Sequence, residues 1–325
     1  MNRGVKLFLS AFILVLLFWG VNIFQKKLED FLFWREMAEN PQILAAIANQ
    51  EALEEKLRSM KPLRNWQVEE LKIEAKSAIS VLLDNGGGKR VLFQKNSAKI
   101  LPIASLTKLM TAYVVLENYE LSQVVKIPRE ALGQDEDFGK FKIAESFTAE
   151  SLLYSLLIES SNGAAIALAE VIGKAPFIDL MNLETKNILG FDSQNTFFVN
   201  PTGLDPKGTT DKINSSTAED LVQLTIHLLK EKPLIWEILN LPDFDLYSAD
   251  GVFHHKILNT NELLGRIPGI IGGKTGETNL AGGCFILVAE SPNKKGFLIN
   301  VILGSPDRFS EMEKLVDWLN SAYKW

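Results

Sequence analysis

Two glycine-turned strand pairs stand at opposite ends of the globular part of this chain, with helix-like text between them, and that arrangement leaves few ways to fold. The first pair is SAISVLLD and RVLFQ, joined through Asn85-Gly86-Gly87-Gly88. Apolar and β-branched runs on either side of a glycine-rich turn are the signal of a β-hairpin. The second is GCFILVAE and GFLINVILG, joined through Pro292, Asn293 and Gly296. Beyond it Phe309, Met312, Leu315, Val316, Leu319 and Tyr323 recur at helical spacing, so an amphipathic helix closes the chain. Strands at both ends and helices between them predict an α+β fold, an antiparallel sheet flanked by helices with a mainly helical middle subdomain. The 325 residues suffice for one large or two modest domains.

Three short motifs lie inside this frame, in the order Ser105-Leu106-Thr107-Lys108, Ser160-Ser161-Asn162 and Lys274-Thr275-Gly276. Each alone is weak. Ser-x-x-Lys recurs at Ser291 to Lys294 and Ser321 to Lys324, and Ser-x-Asn at Ser193 to Asn195 and Ser291 to Asn293. Context separates the Ser105 copy from these. Leu106, Leu109, Met110, Tyr113 and Val114 follow at helical spacing, so an apolar helix begins near Ser105 and carries Lys108 about one turn away on the same side. A serine hydroxyl needs a base beside it, a proton-passing partner and cationic or dipolar groups for the substrate's charge, and the three motifs offer these groups.

The text around the motifs carries a resemblance. LPIASLTKLMTAYVVLE, LLYSLLIESSNGAAIALAE, FFVNPTGLD and GIIGGKTGETNLAGGCFIL together resemble the low-molecular-mass penicillin-binding proteins, the serine-type D-alanyl-D-alanine carboxypeptidase family, from roughly Ala75 to Trp325. The resemblance implies a β-lactamase/transpeptidase-like fold and action on peptidoglycan stem peptides, with β-lactams as covalent inhibitors. It implies Ser105 as nucleophile, Lys108 as base and Ser160 as the proton carrier toward the leaving group. Asn162 would meet the substrate backbone, and Lys274 and Thr275 its terminal carboxylate. Gly276 would leave the strand edge open to an extended peptide, and the backbone N–H groups of Ser105 and Glu277 would form the oxyanion hole. A D,D-endopeptidase or a β-lactamase on the same fold, and a non-catalytic peptidoglycan-binding protein, are the alternatives. The glutamate segment of a class A β-lactamase is not found, and no motif residue is missing as a scaffold protein would allow.

The remaining features are read more plainly. A net charge of −6 and the lack of a basic patch argue against nucleic acid as a partner. Cys284 is the only cysteine and reads as a buried thiol in a strand. His254 and His255 lack carboxylates at metal spacing, so they read as exposed strand or loop residues, and no metal or cofactor is expected. Ser216-Thr217-Ala218-Glu219 has the pattern of a capping box at the head of the helix carrying His227.

Leu7 to Phe24 is apolar enough for a single membrane-spanning helix, follows Arg3 and Lys6, and lacks a small-x-small cleavage site. The expected organisation is an anchor at 1–24 in a bacterial cell membrane, a charged helical spacer at 25–71 and a peptidase domain at 72–325 lying outside the cytoplasm. Basic residues flank the apolar run on both sides, so only the implied substrate sets that orientation.

Overall fold

The computed structural model describes residues 62–132, 140–190, 195–206 and 212–325, with scattered positions between 25 and 53 that are helical. The expected membrane anchor at 1–24 lies outside the described residues. Among the described residues no helix is long and apolar enough to cross a membrane. The account below concerns the unit from Arg64 to Tyr323.

Both sequence-predicted hairpins form, and they join in one antiparallel sheet. Its strands are β1 (Ser77–Asp84), β2 (Lys89–Lys95), β5 (Ile270–Thr278), β6 (Gly282–Glu290) and β7 (Gly296–Ser305), in the spatial order β5-β6-β7-β1-β2. In the first hairpin Asp84 fixes the turn, its Oδ1 accepting from the N–H groups of Gly86 (2.8 Å) and Gly88 (2.9 Å). Two short strands, β3 (Asp243–Tyr247) and β4 (Phe253–Leu258), form a separate antiparallel pair.

Strand alternation divides the core in two. Phe285, Leu287, Leu298 and Ile302 face α7 (Arg308–Ala322), which brings Met312, Leu315 and Leu319. Cys284, Ile286, Val288, Ile299, Val301 and Leu303 face the helical middle. That middle comprises α1 (Lys108–Asn118), α2 (Ala149–Leu157), α3 (Asn162–Glu170), α4 (Lys174–Leu189), α5 (Ala218–Glu231) and α6 (Pro233–Leu239). Helix α1 runs through its centre, with Lys108 to Val115 all buried. Thr148 caps α2 by accepting from Ser151 N–H at 3.0 Å.

Two local expectations are corrected. The cap of α5 is Thr217, whose hydroxyl accepts from Asp220 N–H at 3.0 Å, so the cap lies one residue later than Ser216; Glu219 instead accepts from Ser97 Oγ at 2.6 Å. The last part of the expected helical spacer, from Arg64 to Leu71, has no helix. There the Arg64 guanidinium lies 4.9 Å from the Trp318 ring centre, Trp318 Nε1 donates to the Glu69 carbonyl at 2.7 Å, and Val68 and Leu71 pack on the core under α7.

Candidate active site

Ser105 sits in one turn of 3₁₀ helix, Ala104–Thr107, that leads directly into α1. The turn begins with Ala104 at φ 47°, a left-handed conformation unusual for a residue with a Cβ. Three residues on, the Lys108 side chain points back along the helix as side chains there do. Its Nζ lies 2.8 Å from Ser105 Oγ. Lys108 is fully buried, and its Nζ also donates to Asn162 Oδ1 and to the Thr202 carbonyl, both at 2.8 Å.

Asn162 is the first residue of α3, and the hydroxyl of Ser161 caps that helix by accepting from Ala164 N–H at 3.1 Å. Ser161 therefore does the capping, while the Asn162 carboxamide turns to Lys108. Ser160, just before, is left-handed at φ 64°, and its hydroxyl accepts from Lys274 Nζ at 2.9 Å. Two serine–lysine pairs thus meet at a single three-residue segment.

Lys274 is also fully buried, in edge strand β5, and donates to the carbonyl of Thr275 at 2.9 Å. Burial, with the Arg308 guanidinium adding to it, pulls its pKa from the ordinary lysine value down to about 7. Thr275 directs its hydroxyl to Thr260 Oγ1 at 2.7 Å, and Glu277 pairs with Arg308. Gly276 stands where β5 crosses the Ser105 turn. A Cβ there would lie 2.7 Å from the Ser105 nitrogen, so the close approach of strand to turn requires a glycine.

The segment from Asn200 to Asp205 holds this geometry, a role the sequence left blank. Asn200 Oδ1 accepts from the N–H groups of Thr202 (3.0 Å) and Gly203 (2.7 Å), which turns the Thr202 carbonyl to Lys108. Gly203 has φ 87°, and a Cβ on it would lie 1.9 Å from the Ala104 carbonyl oxygen. Asn214 links the parts: Nδ2 donates to Thr107 Oγ1 and the Asn200 carbonyl, each at 2.9 Å, and Oδ1 accepts from Val199 N–H at 2.7 Å. Asp205 then ties the segment to the β5–β6 turn, accepting from Thr278 Oγ1 at 2.7 Å and Leu280 N–H at 2.9 Å. Asn214, Thr260 and Arg308 carried no sequence signal, since their contacts reach across the chain.

His254 and His255 are corrected. They lie in β4, but their side chains are only 15% and 11% exposed and face Glu145 and Glu159, each at 3.3 Å. Among the described residues no group of histidine, cysteine and carboxylate side chains is placed to hold a metal ion. Cys284 is buried in β6, and burial pushes its thiol up to about 11.

A family model described as D-alanyl-D-alanine carboxypeptidase matches residues 64–307. The D-alanyl-D-alanine carboxypeptidase DacF of Bacillus subtilis is 31% identical over 263 residues, 78% of this chain and 64% of its own length. A D-alanyl-D-alanine endopeptidase of Pseudomonas aeruginosa is 30% identical over 267 residues, 78% of this chain and 80% of that protein. The cefotaxime-bound crystal structure of penicillin-binding protein D2 from Listeria monocytogenes superimposes with a TM-score of 0.66 at 31% identity, covering 78% of this chain and 99% of that one.

Proposed function

This chain belongs to the D-alanyl-D-alanine carboxypeptidase family, and from that premise we propose that it removes the terminal D-alanine of peptidoglycan stem peptides through an acyl-enzyme on Ser105. The observation that carries the proposal is the set of partners around Lys108. Asn162 Oδ1 and the Thr202 carbonyl only accept hydrogen bonds, whereas the third partner, Ser105 Oγ, also donates. A neutral amine has two N–H bonds and one lone pair. With both N–H bonds directed to the two acceptors, the lone pair faces the Ser105 hydroxyl, the orientation of a general base.

On this reading Ser105 Oγ attacks the carbonyl of the penultimate residue and its proton passes to Lys108. The oxyanion gathers between the backbone N–H groups of Ser105 and Glu277, and the tight crossing at Gly276 supports that pairing. Ser160, 2.9 Å from Lys274 Nζ, passes a proton to the departing amine. The scissile C–N bond then breaks, D-alanine leaves, and the proton held by Lys108 returns to Ser160. Water attacks the ester in the second half, with Lys108 and Ser160 again moving the proton. Lys274 and Thr275 receive the terminal carboxylate, for which Thr275 must turn its proton away from Thr260. Asn162 meets the peptide backbone, and the free edge of β5 lets the peptide lie as an added strand.

A cross-link-cleaving endopeptidase uses the same acyl-enzyme, and the Pseudomonas relative bears that name. The decisive experiment treats one preparation with pentapeptide, cross-linked muropeptide and labelled penicillin. D-alanine release from pentapeptide and label on Ser105 are expected. Preferential cleavage of the cross-link makes the protein an endopeptidase, and sustained penicillin hydrolysis without D-alanine release makes it a β-lactamase. We place residues 1–24 as a membrane anchor, 25–71 as a spacer and 72–325 as a peptidase domain outside the cytoplasm, because the substrate lies there and the first segment holds the apolar run from Leu7 to Phe24. Loss of membrane association on deleting residues 1–24 is the expected result.

A further inference from the structure

Ser160 holds a left-handed backbone conformation, which a residue with a Cβ keeps only where its surroundings impose it. The residue before it supplies part of that constraint. Glu159 is 6% exposed; its Oε1 accepts from Ser155 Oγ at 2.6 Å and its Oε2 faces His255 Nε2 at 3.3 Å. Two backbone bonds fasten the same turn, from Ser161 N–H to the Ser155 carbonyl and from Thr260 N–H to the Ile158 carbonyl, both 3.1 Å.

From His255 a row of polar contacts runs outward. His255 Nδ1 faces His254 Nδ1 at 2.6 Å, and His254 Nε2 faces Glu145 Oε2 at 3.3 Å. The rings of Phe141 and Phe147 pack on His254, their centres 5.9 and 5.3 Å away. Lys140 is a further charged group acting on His255. The row has three links, Glu145 to His254, His254 to His255 and His255 to Glu159, and each needs one N–H. Two neutral imidazoles carry two N–H bonds between them, so a complete row between ionised carboxylates holds one imidazolium. Burial, and then the neighbouring His254, push His255 down to about 4.

We propose that Glu145, His254, His255 and Glu159 form a proton-carrying row that positions Ser160, complete while the histidine pair holds one proton beyond its two neutral rings and one link short without it. The proposal rests on the acyl-enzyme reading above, in which Ser160 moves the proton. When the pair gives that proton to solvent, two N–H bonds remain for three links, and a carboxylate faces a bare nitrogen lone pair. Where that carboxylate is Glu159, the residue before Ser160 loses an anchor, and the hydroxyl drifts from Lys274. These four are positioning residues, because their effect reaches the substrate only through Ser160.

The test is the pH dependence of Ser105 acylation by a labelled penicillin, measured on the full chain as wild type, His254→Gln and Glu145→Gln. Histidine is the side chain whose ordinary charge change falls between pH 5 and 8, so the wild-type rate is expected to change by about tenfold across that window relative to a His254→Gln profile that lacks the step. Glu145→Gln, at the partly exposed end of the row, should shift the same step toward lower pH by removing the anion that favours the imidazolium. It also reads the proposal if His254→Gln does not fold. Labelled wild type with profiles of identical shape in both variants overturns the row while leaving the acyl-enzyme intact. No label on wild-type Ser105 overturns both.

Discussion

Each face of the central sheet buries charge-bearing side chains, and the two faces hold them in opposite ways. On the α7 side Glu311 is 3% exposed, and its carboxylate accepts from the backbone N–H groups of Glu74 and Ala75 and from Ser305 Oγ at 2.5 Å. On the helical side Lys108 and Lys274 are fully buried, and each meets a serine hydroxyl. A backbone N–H can only donate, so most of Glu311's partners are fixed in direction. A hydroxyl both donates and accepts, so the bonds at Lys108 and Lys274 can reverse as a proton moves. Burial raises the cost of any unpaired charge on both faces. One face meets it mainly with partners that cannot change and serves as a clasp, while the other has partners that can change roles as a proton moves.

The largest effect that would break this contrast is at Lys108. Lys108→Ala should lower acylation of Ser105 by about 10²- to 10⁴-fold, the range for losing a positioned base. Its thermal midpoint should also fall, because Asn162 Oδ1 and the Thr202 carbonyl lose their donor, but the fold should hold. A mutant that unfolds would show that Lys108 serves the fold as Glu311 does. Glu311→Ala should behave inversely. It leaves two backbone N–H groups without the carboxylate, at about 1–3 kcal/mol each. Denaturant unfolding should show that loss, while the folded fraction still takes the label at Ser105.

A smaller effect sharpens the comparison through pH. Lys274 is charged below about 7 in the free protein and neutral above it, because burial depresses its pKa. Preference for a substrate with a free carboxylate over its amide should therefore be greatest at acid pH and decline as pH rises through about 7. The kcat/KM ratio of the two substrates measures this, and Lys274→Arg, charged throughout, should flatten it. A wild-type ratio independent of pH would deny Lys274 its carboxylate role. Stability runs the opposite way with pH. The unfolded chain protonates this amine at the ordinary lysine value while the folded protein does not until about 7, so Lys274 costs stability increasingly as pH falls between those values. The smallest effect is a control: Thr217→Ala removes the α5 cap, should cost about 1 kcal/mol, and should leave acylation unchanged.

What the sequence showed in advance was whatever a short window can express. Apolar and β-branched runs about glycine turns located both hairpins, and the helical spacing of Phe309 to Tyr323 located α7. Ser105 and Lys108 stand within one turn, so their contact was legible too. The cap of α5 was misread by one residue because Ser216 and Thr217 are both capping types with an acidic residue three positions on, and only the backbone angle chooses between them. His254 and His255 were read as exposed because β4 alone cannot reveal that Glu145 and Glu159 lie opposite. One partner of Lys108 is the main-chain carbonyl of Thr202, and a carbonyl has no letter in the sequence.

The stretch from Asn200 to Asp205 looks like an ordinary connecting loop, and such loops usually accept extra residues. This one is bound at both ends to different parts of the molecule, through the Thr202 carbonyl to Lys108 and through Asp205 to the β5–β6 turn. Between those attachments Gly203 has no room for even one added methyl group. Its length should therefore be as intolerant of change as its composition: inserting one residue, however small and polar, would shift one attachment relative to the other and leave either Lys108 or the end of β5 misplaced.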